Sequence, residues 1–196
     1  MPSPFISNIF RFAIIAVAGA SISQACLVKV QDKIDSVKPE TWIGDRHPSL
    51  GSPSAPIKIV SFIDYQCPTC RSADPILRRM VSKRSDIALY YREFPLQMHQ
   101  FAKSAAIVAE NARAHGTFEA AHRRMMDGKD LTEAAIKDAA RKAGVSTVES
   151  AQTKSKLESD RDLEKSVKLN YVPSFIVIKD GSSSLMSKQQ LLDFLK

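Results

Sequence analysis

The sequence predicts an α/β domain in which a helical subdomain is inserted between a βαβ unit and a closing ββα unit. Three observations predict it. The apolar run Ile57–Ile63, interrupted only by Lys58 and Ser61, ends at a Cys-x-x-Cys turn and is followed at once by a helix-patterned segment, as expected of a strand buried in a sheet centre that feeds a helix. From residue 96 to about 169 nothing reads as a strand, while Ala-rich segments recur at helical period; roughly 70 residues is too long for a plain loop. The chain then returns to strand at Ser174-Phe175-Ile176-Val177-Ile178. With 196 residues, 44% hydrophobic and 25% charged, the composition suits one ordinary domain with a full core.

Before that domain come two shorter stretches. Residues 1–25 divide into Met1 to Arg11 with one positive charge, an apolar segment 12–22, and the small-residue end Ser23-Gln24-Ala25, which is the grammar of a signal peptide. An N-terminal anchor competes with cleavage, although the apolar core of about 11 residues falls short of the roughly 20 that span a bilayer. Cys26 adds lipid attachment as a third option. Each of the three places the domain outside the cytoplasm, in the periplasm or another extracytoplasmic space where disulfides persist. Residues 26–55 hold Pro39, Gly44, Pro48, Gly51 and Pro53 among several serines and read as a linker or lead-in. They are too few for a dimerisation domain with its own core, though Trp42 and Ile43 are able to dock on the main domain, residues 56–196.

The formal charge is +7. Basic residues are interleaved with acids, as in Arg161-Asp162-Leu163-Glu164-Lys165, and no aromatics stand among them as a base-stacking platform. Solvated helix faces account for this pattern, and no nucleic-acid partner is expected.

After Ile57–Ile63, the first helix carries Ile76, Leu77, Met80 and Val81 at helical spacing, with Pro75 expected to kink it. Strand 87–94 ends at Pro95 and completes a parallel βαβ unit. Helices are expected at 99–115, 117–126, 132–143 and 147–169, broken by Gly116, Gly128 and Gly144 at C-terminal cap positions and started by Thr132-Glu133 and by a capping pattern over 146–149. The Asp180-Gly181 turn leads to a weak strand Ser182–Met186, and an amphipathic helix 188–196 closes the chain.

The chemistry is expected at the turn. Cys67 and Cys70 are two of only three cysteines. With Cys67 as N-cap, Pro68 takes the first helical position, where its missing N–H costs nothing. The free N–H groups of Thr69 and Cys70 then point at the Cys67 sulfur and, with the helix dipole, favour the thiolate. Cys67 is the expected nucleophile and Cys70, one turn on, the buried resolving thiol. The bland alternatives are an inert disulfide or half a zinc site. Zinc needs two further ligands, and the four histidines form no second paired motif, so no metal or other cofactor is expected. His99 reads as a solvent-exposed helix-start residue, and His122, Met125 and Met126 as packing.

Over roughly residues 46–196 the chain resembles the DsbA-like branch of the thioredoxin superfamily. The resemblance rests on Asp64-Tyr65-Gln66-Cys67-Pro68-Thr69-Cys70, Glu93-Phe94-Pro95-Leu96, the inserted helices, and Val172-Pro173 before the third strand. It implies a thioredoxin-like fold and a thiol-disulfide oxidoreductase acting on cysteine-bearing client proteins, most readily as an oxidase and a monomer. It also implies a membrane redox partner that is DsbB-like or quinone-linked. Pro173 is then cis, presenting the backbone of Val172 to an extended client segment, while Pro68 and Thr69 tune the site. Two positions depart from the pattern. Ser61 stands where many relatives carry a proton-relaying acid, and Thr69 stands where the strongest oxidases have a histidine, so weaker oxidising power is expected. A reductase or isomerase, and a non-enzymatic binding or metal-carrier module on the same fold, are the alternatives.

Overall fold

A computed structural model describes residues 24–196. The leader read over residues 1–25 lies, apart from its last two residues, outside the described residues. In chain order the elements are α1 (Gln24–Asp35), α2 (Pro39–Ile43), β1 (Ile57–Ile63), α3 (Pro68–Val81), β2 (Ile87–Glu93), α4 (Ala102–Ala114), α5 (Phe118–Met126), α6 (Glu133–Ala143), α7 (Ala151–Val167), β3 (Ser174–Lys179), β4 (Ser182–Met186) and α8 (Lys188–Phe194).

The sheet runs β2-β1-β3-β4. β1 pairs parallel with β2, Ile57 opposite Ile87, and antiparallel with β3, which pairs antiparallel with β4. Alternate residues of a strand face opposite sides, and the two sides build two cores. Ile57, Ile59, Ile63, Leu89 and Tyr91 pack with Leu77 and Val81 of α3 and with the inserted helices. Val60, Phe62, Ala88, Tyr90, Ile176 and Ile178 pack with Ile34, Trp42, Val167 and Leu169. Burial on both faces is why β1 and β2 read as nearly unbroken apolar runs. The expected fold class is therefore the observed one.

The lead-in differs from its expectation. Residues 24–43 contain two helices, and Ile34 and Trp42 are fully buried, with Trp42 edge-on to Phe62 at 6.3 Å between centroids. The segment covers one sheet face and both sheet edges. Along β4 the Gln31 side-chain amide donates to Ser183 O at 3.0 Å and accepts from Leu185 N–H at 3.2 Å, the two bonds that a neighbouring strand would supply. Along β2, Ser49 N–H donates to Leu89 O and Leu89 N–H to Leu50 O. Gly51 makes this approach possible, because at φ +82° a Cβ would sit 2.1 Å from Ile87 O. A buried ion cluster completes the seam: Asp160 of α7 accepts from Arg46 Nη2 at 2.7 Å, from Arg92 Nη1 and from Glu93 N–H, while Arg92 also donates to the carbonyls of Trp42 and Thr41. The punctuation of residues 26–55 points to a linker because such partners lie far away in sequence.

The insert also shifts at its edges. α6 starts at the Thr132 cap and ends at left-handed Gly144, as expected. α7 begins later than expected, capped by Ser150. Residues 146–149 stay outside it because Asn111 Nδ2 donates to the carbonyls of Ser146 and Val148. Gly128 is not a left-handed cap; α5 ends at Met126 with Asp127 as its C-cap, and the Gly128 carbonyl accepts from Arg71. α4 starts at Ala102, leaving His99 in the turn before it. Among the described residues, no helix is long and apolar enough to cross a membrane.

Candidate active site

β1 delivers the chain to the turn 64–67, and α3 starts at Pro68 with Cys67 as its N-cap, φ −69° and ψ 120°. Both Cys67 and Cys70 are free thiols, but they are not equivalent. Cys67 is 8% exposed and Cys70 1%. The Cys70 thiol hydrogen-bonds the Cys67 sulfur, and against the penalty of burial the N–H groups of Cys70 and Thr69 add two further bonds. Asp64 opposes them with its negative charge, and the balance lowers Cys67 to about 6. Cys70 moves the other way, because its proton is held in the bond to Cys67 and because it is buried. The same environment thus favours the thiolate at Cys67 and the thiol at Cys70.

The opposite wall comes from β3. The Val172–Pro173 peptide is cis, and the Cys67 Sγ lies 3.8 Å from Val172 O. Beside Pro68 a cavity of about 520 Å³ opens between α3 and the α5–α6 connection, lined by Gln66, Pro68, Arg71, Met126, Asp130 and Leu131 among others.

The turn is held from behind by contacts that the sequence did not disclose. The fully buried Asp64 carboxylate accepts four bonds: Gln66 N–H at 2.7 Å and Cys67 N–H at 3.2 Å on Oδ1, Leu96 N–H and His99 Nδ1 each at 2.8 Å on Oδ2. His99 is therefore not a free helix-start residue; its side chain is 19% exposed and faces Asp64. Gln66 Oε1 accepts from Phe101 N–H at 2.7 Å. Arg71 donates to the carbonyls of Tyr65, Met125 and Gly128, clamping α3 to the insert.

Beneath α3 lies a second buried network. His122, read as packing, is fully buried against Tyr91 and Phe118, and also bonds Tyr65 OH at 3.0 Å and Asp74 Oδ1 at 3.2 Å. Asp74 further accepts from Tyr91 OH and Arg78 Nε. Burial would raise its carboxyl, but His122, Tyr91 and Arg78 together hold it well below the usual range. Met125 and Met126 are both core residues. Among the described residues no group of three or more His, Cys, Asp or Glu side chains gathers to hold a metal. Asp64 stands inside the Asp64–Cys70 motif and His99 three residues after Leu96, so the sequence signal for their pairing was an acid before the cysteines and a histidine after the Pro95-Leu96 turn.

Residues 44–196 match the family model described as Thioredoxin. The chain belongs to the thioredoxin family. This thioredoxin-family chain is 30% identical over 123 residues to Na(+)/H(+) antiporter NhaA 3 of Salinispora tropica, a match covering 62% of this chain and 18% of that protein. It is 31% identical over 91 residues to the probable disulfide bond formation protein D of Bacillus anthracis, covering 44% of this chain and 40% of that one. The matches thus span less than half the length of these curated relatives. A crystal structure of a thioredoxin-like oxidoreductase from Silicibacter pomeroyi DSS-3 superposes with a TM-score of 0.66 at 26% identity, covering 80% of this chain and 95% of that chain.

Proposed function

We propose that this chain is an exported thiol-disulfide oxidoreductase that oxidises client proteins through Cys67-Pro68-Thr69-Cys70. The observation that carries the reading is the asymmetry of the two thiols, one stabilised as a thiolate at a helix N-terminus and the other held protonated in the core. A low thiol pKa stabilises the reduced enzyme and makes its disulfide an oxidant. In the oxidised enzyme a client thiolate attacks the Cys67 sulfur and the Cys67–Cys70 bond breaks, Cys70 leaving with a proton. A second client thiolate then attacks the client sulfur of the mixed disulfide and Cys67 leaves as thiolate. The client loses two electrons and two protons, and the enzyme gains the electrons.

Val172 O beside Cys67 supports a role for the Val172–Pro173 backbone in seating an extended client segment as an added strand. Pro68 starts the helix without a wasted donor, and Thr69 supplies an N–H to the sulfur, so both tune the site. Turnover requires a second partner that removes the electron pair, DsbB-like or quinone-linked and membrane-bound. The protein works as a monomer, without nucleic acid, in the periplasm or an equivalent compartment, a placement that the signal-peptide pattern read over residues 1–25 supports. The names of the Bacillus anthracis relative and of the Silicibacter pomeroyi structure point to the same chemistry.

The reduction potential of the Cys67–Cys70 couple, measured against glutathione together with oxidation of a reduced client, tests the proposal. A value above about −200 mV is expected of an oxidase, and one below about −250 mV makes the protein a reductase. Failure to exchange at all, with stoichiometric metal in the purified reduced protein, would make it a binding module instead.

A further inference from the structure

The Asp64 carboxylate places a negative charge beside the sulfur that should bear one, and it acts against the Cys67 thiolate. The fold has a reason to keep it. Its two oxygens take the N–H groups of Gln66, Cys67 and Leu96 and so shape the turn that presents Cys67. Among the described residues, the one titratable side chain bonded to that carboxylate is His99, through Nδ1 at 2.8 Å. Its ring is set by backbone turns on either side, His99 N–H to Leu96 O at 3.0 Å and Ala102 N–H to His99 O at 3.2 Å. Its side chain is 19% exposed, so solvent reaches the ring.

We propose that His99 is a positioning residue of the redox couple, its imidazolium offsetting Asp64 so that oxidising power is higher when His99 is protonated and falls as it loses its proton. The inference rests on the thiol-disulfide reading of the site. Position 69, where an imidazolium would stand directly beside the sulfur, holds a threonine; His99 supplies its charge through the Asp64 carboxylate. The other charged groups around the pair are committed elsewhere. Arg71 on α3 donates to three carbonyls. Glu93, at the end of β2, faces Arg113. Lys103, at the start of α4, pairs with Glu149. Segment 94–101 contributes no charged side chain besides His99.

The sign follows from the balance of the half-reaction. Two electrons reduce the Cys67–Cys70 disulfide to a Cys67 thiolate and, with one proton, a Cys70 thiol, and the electrons come from a client dithiol that becomes a disulfide. Only the reduced form carries the anionic sulfur. A cation near Asp64 therefore favours reduction, and losing it as pH rises favours the disulfide.

The test is the equilibrium of the protein and of His99→Gln with glutathione, read from about pH 6.5, above the Cys67 value of about 6 so that the reduced sulfur is ionised, to about pH 8.5. The expected result is a roughly tenfold weaker oxidant for His99→Gln at the acidic end, equivalent to about 30 mV, narrowing to no difference at the alkaline end. Introducing Asp64→Asn beforehand should abolish the effect of His99→Gln. Potentials that stay parallel across the range, equal or offset, would overturn the inference while leaving the enzyme reading intact. If neither protein equilibrates with glutathione, the enzyme reading fails, and this inference with it.

Discussion

Two polar clusters lie along β1 and β2, and they are built on opposite plans. At the redox turn the groups that set Cys67 are neighbours in sequence: Cys70, the N–H groups of Thr69 and Cys70, and Asp64. At the seam with the lead-in the partners are remote, Arg46 reaching 64 residues to Glu110 and 114 to Asp160, and Arg92 reaching 68 to Asp160. The first cluster leaves a sulfur charged at a helix start where a partner can reach it. The second sinks charges where nothing reaches them and uses them to hold α2, β2, α4 and α7 together. Chemistry is thus written locally and the assembly of the domain at long range, so substitutions should separate the two.

The largest separation is expected from Cys70→Ser. Client turnover should fall to background, because the Cys67–Cys70 disulfide can no longer form, and mixed disulfides should build up on Cys67 in non-reducing gels. The melting temperature should barely move. A variant without trapped client adducts would break the division of labour between the two thiols.

Asp160→Ala should do the reverse. It strands two buried guanidinium groups, and removing one member of a buried pair is destabilising by about 3 to 5 kcal/mol. Denaturant unfolding should show that loss, while Cys67 in the protein that remains folded keeps its reactivity. A loss below about 1 kcal/mol would show that the seam is not what holds the lead-in.

Glu164, one turn after Asp160, sharpens the same point through pH. Burial first, then the Asp160 charge, raises it to about 9, and its Oε1 has no hydrogen-bond partner. Unfolded, a glutamate titrates near about 4.3, so between that pH and about 9 the folded protein binds the extra proton and stability falls as pH rises. Glu164→Gln should remove that slope, stabilising the protein by about 4 kcal/mol at pH 7 and by nothing near pH 4. Equal gains at both pH values would contradict it.

The smallest expected effect is local. Thr69→His places an imidazolium beside the Cys67 sulfur, and each unit by which the thiol falls should raise the reduction potential by about 30 mV. An unchanged potential with a lowered thiol pKa would show that thiolate stabilisation does not set the redox poise.

The same contrast explains what was legible beforehand. The strand–turn–helix around Cys67, the inserted helices and the final ββα unit could be read because each is coded by periodicity, a cap or a motif within a few residues. Thr132 and Gly144 show the pattern at single positions. Of residues 26–55 only the docking of Trp42 could be read, because Gln31, Arg46 and Gly51 acquire their meaning from β4, α7 and β2. The start of α7 was misplaced for a similar reason, Asn111 of α4 capturing carbonyls 35 and 37 residues away. Within the site the boundary runs between Cys67, whose setting is local, and the Asp64–His99 pair, 35 residues apart.

The account turns on the inequality of Cys67 and Cys70, and site-resolved alkylation tests it most directly. Reduced protein is treated with iodoacetamide across pH, and the labelling rate of each cysteine is followed by mass spectrometry. Cys67 should reach half its maximal rate near a pH of about 6, while Cys70 stays slow throughout. Equal rates at the two cysteines, or a Cys67 midpoint near the ordinary thiol value of about 8.5, would contradict it.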